Sequence, residues 1–496
     1  MMNLSDMDRG GLVLGMSKDR SRLYCNTEDT HTLTIGATRS GKTRNIVLPS
    51  ICIMALAGES MVLADPKAEL YLYTYPFLER MGYEVVTIDF KDPLKSSQYN
   101  FLQPVIDAVN MGDNALAVTR ARDIANMLVP DRPETHTDPI WINGERSILM
   151  ESILAVVVDN QGRPEYQNLA NAYQFIVEMG RPGPKGNLPL SRYLMELSPE
   201  HPARLVSGIS EVAPSKTRGS FFASGGSTLN VFTDPAIHTM TAATDFDLYT
   251  TGERKRAIFI ILPDHKSTYY PLAALFVYQH YQALVDCCDK HGGRLPLRVN
   301  FILDEFGNFI KIPDFEKFMT VGGGRGIRFH LFLQDFNQID EKYGDKVGRI
   351  IRANAETWIY LQTDNPDTLE ELSRKLGKYT IKSPSLSGST KGESSASYNY
   401  TGRDLLMPEE IKKIKRPYQL VTSRDDPCIM YAPDVSKTVF NKMLGLGNMS
   451  HNERVIKIRS ARRPAGEIQT AYWGIWKKYH ALLLTSAKSE KGNDEE

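Results

Sequence analysis

Residues 36–43 read GATRSGKT, a complete G-x-x-x-x-G-K-[ST] pattern, and each fixed position has a phosphate to serve. Gly36 and Gly41 let the main chain wrap a β-phosphate, with Ala37, Thr38, Arg39 and Ser40 closing the loop between them. Lys42 reaches toward β- and γ-phosphates, the Thr43 hydroxyl holds Mg²⁺, and Arg44 follows at the head of the next element. The apolar run LTI feeds the motif and RNIVLPSICIMALA follows it, so the loop joins a strand end to a helix N-terminus. There, unpaired N–H groups and the helix dipole face an anion. ATP with Mg²⁺ is the cofactor this pattern predicts. Hydrolysis needs a second acidic position, and VNFILDE is an apolar strand closing on Asp304 and Glu305. Asp304 serves the magnesium through its water or Thr43, and Glu305 serves as general base on the attacking water.

Three further groups extend this site. RFHLFLQ ends on Gln334, placed at a strand end either as a γ-phosphate sensor or as a simple strand-end polar residue. VGGGRGIRF carries Arg325 on what reads as a flexible glycine turn. Its guanidinium suits a phosphoryl group held by a neighbouring subunit, with a solvated turn arginine as the alternative. MVLADPKAELY places Asp65, Lys67 and Glu69 just past a buried strand, at the sheet edge where ligands sit. Asp65 and Lys67 either complete the phosphate site, couple it to a partner subunit, or form a local ion pair. A separate basic stretch, RVIKIRSARRP, holds Arg454, Lys457, Arg459, Arg462 and Arg463, and Trp473 and Trp476 follow beside Lys477 and Lys478. Basic groups interleaved with aromatics grip phosphates and stack bases, or else dock the segment on its own protein or on an anionic membrane surface.

The elements that must position these groups are strands alternating with longer helical patterns. Leu33–Gly36, Met61–Asp65, Glu84–Ile88, Ala257–Leu262, Val299–Asp304, Arg328–Leu333 and Thr357–Leu361 read as near-continuous apolar runs. Burial on both faces, and hence a mainly parallel sheet, follows from that pattern. Between 105 and 229 the strand pattern gives way to helical periodicity, which predicts an inserted all-helical domain. It divides an α/β nucleotide-binding domain into residues 1–104 and 230–447, with a C-terminal extension over 448–496. Ser383–Gly402, rich in Ser, Gly and Thr, predicts a mobile loop or linker, and the last nine residues, KSEKGNDEE, a disordered tail.

The 496 residues hold 59 basic and 59 acidic side chains, so no whole-chain field draws the protein onto nucleic acid or membrane, and any basic surface must be local. Five cysteines without C-x-x-C spacing argue against a disulfide scaffold or a structural zinc framework and fit a reducing compartment. The apolar stretches around Ile46–Ala57 and Ala257–Leu262 fall short of a bilayer span, and MMNLSDMDRGG lacks the apolar core of a signal peptide. A cytoplasmic protein is the expectation.

Taken in order, these residues resemble the coupling ATPases of type IV secretion and conjugation systems. The resemblance runs through GLVLG (Gly11–Gly15), the phosphate loop, ADPKAEL followed by YLYT, and YNFLQP. It is most specific in LDEFGNFIKIPDFEKFMTVGGGRGIRF followed by LQDFNQI, with GRDLLMPEEI (Gly402–Ile411) as the closing motif. It implies a RecA-like P-loop domain with a mainly parallel sheet and an inserted all-α domain. It also implies a homo-hexameric ring that moves DNA, in single-stranded form, or a protein such as a relaxase complex toward secretion-channel components at the cytoplasmic face of the membrane. Members carry N-terminal transmembrane helices, so the resemblance makes this chain a soluble member or a cytoplasmic portion that meets the membrane only through partners or missing helices. Many relatives have Arg where Gly323 stands, leaving Arg325 or Arg328 as the trans-acting arginine, and Ala68 stands where Gly is frequent. A DNA-packaging or helicase-like motor, and a docking platform that binds ATP to order its ring, are the alternatives.

Overall fold

The computed structural model describes residues 8–130, 138–184, 186–388, 394–461 and 464–493. Among the described residues there are thirteen strands: β1 (Leu12–Met16), β2 (Leu23–Asn26), β3 (His31–Gly36), β4 (Ser60–Asp65), β5 (Glu84–Asp89), β6 (Arg256–Ile261), β7 (Val299–Leu303), β8 (Ile327–Leu333), β9 (Ala355–Gln362), β10 (Lys378–Gly388), β11 (Ser394–Asp404), β12 (Tyr418–Thr422) and β13 (Cys428–Tyr431). Eleven of them form one sheet in the order β2-β1-β13-β12-β9-β3-β8-β7-β4-β6-β5. The stretch from β9 to β5 is parallel throughout, and its members are the seven apolar runs of the sequence. Side chains alternate between two cores, as a period of two requires. Val62 and Ala64 of β4 face the core shared with the helical domain, whereas Met61 and Leu63 face helices Leu48–Leu56 and Glu69–Arg80.

The antiparallel flank β2-β1-β13-β12 joins the parallel sheet through β12 on β9. Gly11–Gly15, met in the sequence as a motif, thus supplies most of β1. Helices run from Gln103 to Thr241, and the chain re-enters the sheet at Arg256. The helical stretch therefore continues past Leu229, through Pro235–Thr241, where Asp234 accepts from the Ala236 N–H at 2.8 Å to start the last helix.

Two expectations fail. The stretch Ser383–Gly402 is not a loop: its described part lies in an antiparallel hairpin of β10 and β11, paired from Lys378 opposite Asp404 to Gly388 opposite Ser394, and residues 389–393 lie outside the described residues. Helix Trp476–Asn493 likewise runs into the stretch expected to be a disordered tail, whose last residues, 494–496, lie outside the described ones. Among the described residues no helix is long and apolar enough to cross a membrane.

Candidate functional site at the carboxyl edge of the sheet

Register places the candidate residues along one edge. Ile35 pairs with Leu333, and Leu303 pairs with both Leu331 and Ala64, so Gly36, Gln334, Asp304 and Asp65 all emerge at the carboxyl ends of adjacent parallel strands. That edge is where open α/β sheets bind ligands. The loop after β3 needs its glycines: Gly41 has φ 99, and a Cβ on Gly36 would lie 2.4 Å from Ser40 Oγ. Arg39 also takes a left-handed conformation, φ 65. A wide π-helical turn, Lys42–Val47, then leads into helix Leu48–Leu56, and the first N–H groups of such a start have no intrahelical acceptor.

Within this loop the Lys42 ammonium donates to the Gly36 carbonyl, folding back over the space it encircles. The Thr43 hydroxyl donates to the Asp304 carboxylate at 3.3 Å. Burial pushes Asp304 up to about 6 against the opposing pull of Lys42, and the same burial lowers Lys42. Ser40 Oγ is buried with no hydrogen-bond partner among the described residues. Hard oxygen donors on Thr43 and Asp304, an ammonium and an orphaned hydroxyl fit a magnesium-phosphate group. Ala37 donates its N–H to the Gln362 carbonyl at 2.6 Å, tying the loop to β9, and Thr38 is exposed.

Glu305 follows Asp304 with φ 53, a left-handed conformation costing about 1–2 kcal/mol in a residue with a Cβ. Its carboxylate accepts from Asn308 Nδ2 at 3.0 Å. A Cβ on Gly307 would lie 2.3 Å from the end of the Gln338 side chain, which would have to shift. Gln338 in turn accepts from the Gln334 N–H at 2.9 Å, and the Lys342 ammonium donates to the Gly307 and Phe309 carbonyls. The helix Asn337–Tyr343 therefore ties the end of β8 to the turn that holds Glu305. Sequence reasoning named neither Gln338 nor Lys342, although the glycine in DEFGN marks where the helix presses in.

The remaining residues divide. Asp65 is buried, accepts from the Tyr71 N–H at 2.8 Å, and is pushed up to about 7 by burial. It starts helix Glu69–Arg80, while Lys67 is exposed. Ala68 has φ 62, the backbone region glycine takes most readily, so Gly is natural at that position. Arg44 turns away from the loop and clamps Asp434 through bonds of 2.6 and 2.8 Å, a partner from beyond β13 that no local signal announces.

Arg325 lies at the opposite edge of the sheet, ahead of β8, at the end of helix Phe315–Arg325. The three glycines before it are the last turn of that helix rather than a flexible turn. A Cβ on Gly323 would sit 2.4 Å from the Asp29 carbonyl, so this packing has no room for a larger side chain there. Arg328 is excluded as a trans-acting group. It is fully buried, donates to Asn300 Oδ1 at 2.8 Å and to the Gly10 and Glu28 carbonyls at 3.2 Å, and pairs with Glu59.

The described part of the C-terminal basic-aromatic segment packs on its own protein at Arg459, Trp473 and Trp476, as the docking alternative expects. Arg459 donates to the Leu72 carbonyl, to Tyr73 O at 3.0 Å and to Leu444 O at 3.2 Å. Trp473 stacks on Phe175 at 6.0 Å with rings 9° apart, its main-chain N–H donates to Asn171 Oδ1 at 2.8 Å, and Trp476 is buried in the core. The segment runs from the turn Pro93–Lys95 after β5, where the Gly466 N–H meets Leu94 O at 2.6 Å, to the helical domain. Arg454 and Lys457 are exposed, and Arg462 and Arg463 lie outside the described residues.

Known proteins fit this arrangement. VirD4 of Rhizobium radiobacter is 24% identical over 436 residues, 85% of this chain and 60% of that protein. TraG of Escherichia coli is 24% identical over 429 residues, 82% of this chain and 66% of that protein. The chain thus spans 60 to 66% of the length of these relatives. The solved structure of the bacterial conjugative coupling protein TrwBΔN70 superposes with a TM-score of 0.61 at 17% identity, covering 83% of this chain and 86% of that one. TrwB in complex with ADP and Mg²⁺ does so with 0.59 at 17%, covering 85% and 89%. At such identity the likeness is one of fold: a RecA-like α/β P-loop domain with an all-α domain. The family pattern described as type IV secretory system conjugative DNA transfer matches residues 4–432, and to that family the chain belongs.

Proposed function

We propose that this chain is the ATP-driven motor of a coupling protein, recruiting DNA or a protein substrate and delivering it to a type IV secretion or conjugation channel. The observation that carries the reading is the Thr43 hydroxyl set 3.3 Å from the Asp304 carboxylate at the mouth of the phosphate loop. In this reading Gly36–Thr43 cradle the triphosphate, and Lys42 leaves the Gly36 carbonyl for the phosphate oxygens. Thr43 and Asp304 hold Mg²⁺, which when bound neutralises charge on the phosphate oxygens. Glu305, its carboxylate steadied by Asn308, takes the proton from the attacking water, and Gln334 faces the γ-phosphate.

Arg325 stands at the far edge of the sheet from its own phosphate loop. As a catalytic arginine it therefore acts on a neighbouring copy, in a homo-hexamer on the cytoplasmic face of the membrane. Protein substrates dock on the helical domain, where Leu205, Ile209 and Val212 are 65%, 44% and 84% exposed within two short helices. Arg454 and Lys457 are left as the exposed phosphate contacts of the C-terminal segment.

Turnover with and without single-stranded DNA, measured beside nucleotide affinity, tests the proposal. Lys42→Ala abolishes ATP binding, whereas Glu305→Gln retains binding and loses turnover. Specific activity rises with protein concentration, and Arg325→Ala flattens the rise. Equal loss of binding in both site variants removes Glu305 from its role, and binding without turnover in the unaltered chain makes it an ATP-ordered docking platform instead.

A further inference from the structure

Far from the phosphate loop, the end of the long helix Tyr270–Lys290 brings together three side chains of metal-binding type. Cys287 and His291 stand four residues apart, one helical turn, and so share a face. Glu253 reaches them from the turn Tyr249–Gly252, on the segment by which the chain returns from the helical domain to β6. One ring nitrogen of His291, the Cys287 sulfur and a Glu253 carboxylate oxygen all lie within 4.8 Å of one another.

Within the cluster the Cys287 sulfur makes a long contact of 3.7 Å to His291 Nδ1, and the donor spacings beyond it suit a cation. His291 Nδ1 lies 3.0 Å from the Cys287 carbonyl. That bond fixes the ring with Nε2 turned to Glu253 Oε1, 3.6 Å away. A nitrogen and an oxygen at that separation are too far apart for a hydrogen bond. Neighbouring donors on a tetrahedral zinc with bonds of about 2.0–2.3 Å are spaced by roughly 3.5 Å. A backbone carbonyl holding the other nitrogen of a ligating histidine is the usual support of such a site. Gly252 permits the approach, because a Cβ there would lie 3.2 Å from the Cys287 sulfur and 2.7 Å from Leu295.

We propose that Glu253, Cys287 and His291 form a binding site for a borderline-soft divalent cation, zinc by ligand type, with a fourth position open to water. Thiolate, imidazole and carboxylate together select zinc over magnesium, which keeps to oxygen donors. On binding, the Cys287 thiol proton passes to the buffer and a sulfur–metal bond forms, with no change of oxidation state. The metal staples the return segment of the helical domain to the long helix behind the sheet, at a place separate from the phosphate loop.

The test is titration of the full-length chain with Zn²⁺, and with Co²⁺ as a spectroscopic probe, in the presence of saturating Mg²⁺ and ADP. The expected result is one equivalent bound, with a thiolate-to-cobalt charge-transfer band in the near ultraviolet. Cys287→Ser removes the band and weakens Zn²⁺ binding by ~100-fold or more, while His291→Ala and Glu253→Gln keep the band and weaken binding by ~10-fold or more. A Cys25→Ser/Cys428→Ser double variant leaves both unchanged. Circular dichroism checks folding, and if Cys287→Ser fails to fold, the two surface variants decide. Binding weaker than ~100 μM that is the same in every folded variant, or a band that disappears with Cys25 and Cys428, overturns the site.

Discussion

Arg459 offers a direct way to tell a docking residue from a phosphate contact. Helix Glu69–Arg80 contains Pro76, which has no N–H to give the carbonyl four residues back, and that carbonyl belongs to Leu72. The Arg459 guanidinium donates to Leu72 O, filling the vacancy, and reaches Tyr73 O as well. Leu72 is 6% exposed, so water is a poor substitute. Arg459→Met keeps the apolar stem and deletes these bonds. A buried acceptor left unsatisfied costs about 1–3 kcal/mol, and because the guanidinium is half-buried about 2 kcal/mol is the expectation. Hydrogen exchange of the amides in helix Glu69–Arg80 reads this as local opening, faster by about 30-fold at 1.4 kcal/mol per decade. Pro76→Ala supplies the missing N–H, so in that background Arg459→Met should cost only about 1 kcal/mol, a coupling of about 1 kcal/mol in the double-mutant cycle. Single-stranded DNA affinity should keep its salt dependence throughout. The reasoning is refuted if the two substitutions are additive, or if Arg459→Met leaves exchange unchanged while lowering the salt slope by about 0.7, the signature of one lost phosphate contact.

The other predictions concern the turn behind Glu305 and a buried acid. Lys342→Met removes the ammonium that fastens the Gly307 and Phe309 carbonyls and should lower turnover by about 10- to 100-fold with ATP affinity kept, as expected when a general base loses its positioning; equal loss of both in single-turnover and binding measurements would reject this. Burial lowers Lys342 to about 8, so the fastening, and turnover with it, should weaken as pH rises through that value. Glu151, buried within helix Pro139–Asp159, is pushed up to about 8, above its ordinary 4.5. The folded state then binds the proton more tightly than the unfolded one. Stability is full below pH 4.5 and falls by up to about 1.4 kcal/mol per pH unit as pH rises toward 8. Glu151→Gln should flatten this dependence in thermal unfolding at pH 5, 6.5 and 8, and an unchanged slope would contradict it.

What the sequence made legible follows burial. A strand covered on both faces reads as a near-continuous apolar run, so AIFII in β6 or VNFIL in β7 stands out even where a buried polar residue such as Asn300 interrupts it. Strands β2 and β13 are half-exposed, with residues such as Tyr24 at 42% and Ile429 at 54%, and their short mixed patterns match loops as well as strands. The β10–β11 hairpin hides for a related reason. It lies outside the large sheet, so serine, glycine and threonine suffice where the main-chain ladder rather than a core aligns the strands. The phosphate loop and the Asp304–Glu305 pair are legible because their chemistry is local in sequence.

Groups whose meaning depends on distant partners escape that kind of reading, and they share a pattern. Arg44 directly follows the phosphate motif yet serves Asp434, which anchors the turn after β13. Arg328 belongs to a glycine-rich signature but lies in a pocket made by Glu59, Asn300 and the Gly10 and Glu28 carbonyls. Arg459 stands in the most basic run of the chain and answers an orphan carbonyl created by a proline in another helix. Each arginine offers several donors in one plane, which makes it as useful for gathering stray carbonyls as for gripping phosphates. In a chain with balanced charge, an arginine in a basic run is therefore better judged by the acceptors the fold leaves unpaired around it than by its neighbours in sequence. Among the described residues of the run, Arg454 and Lys457 are exposed on helix Met449–Ser460, whereas Arg459 is engaged with main-chain carbonyls.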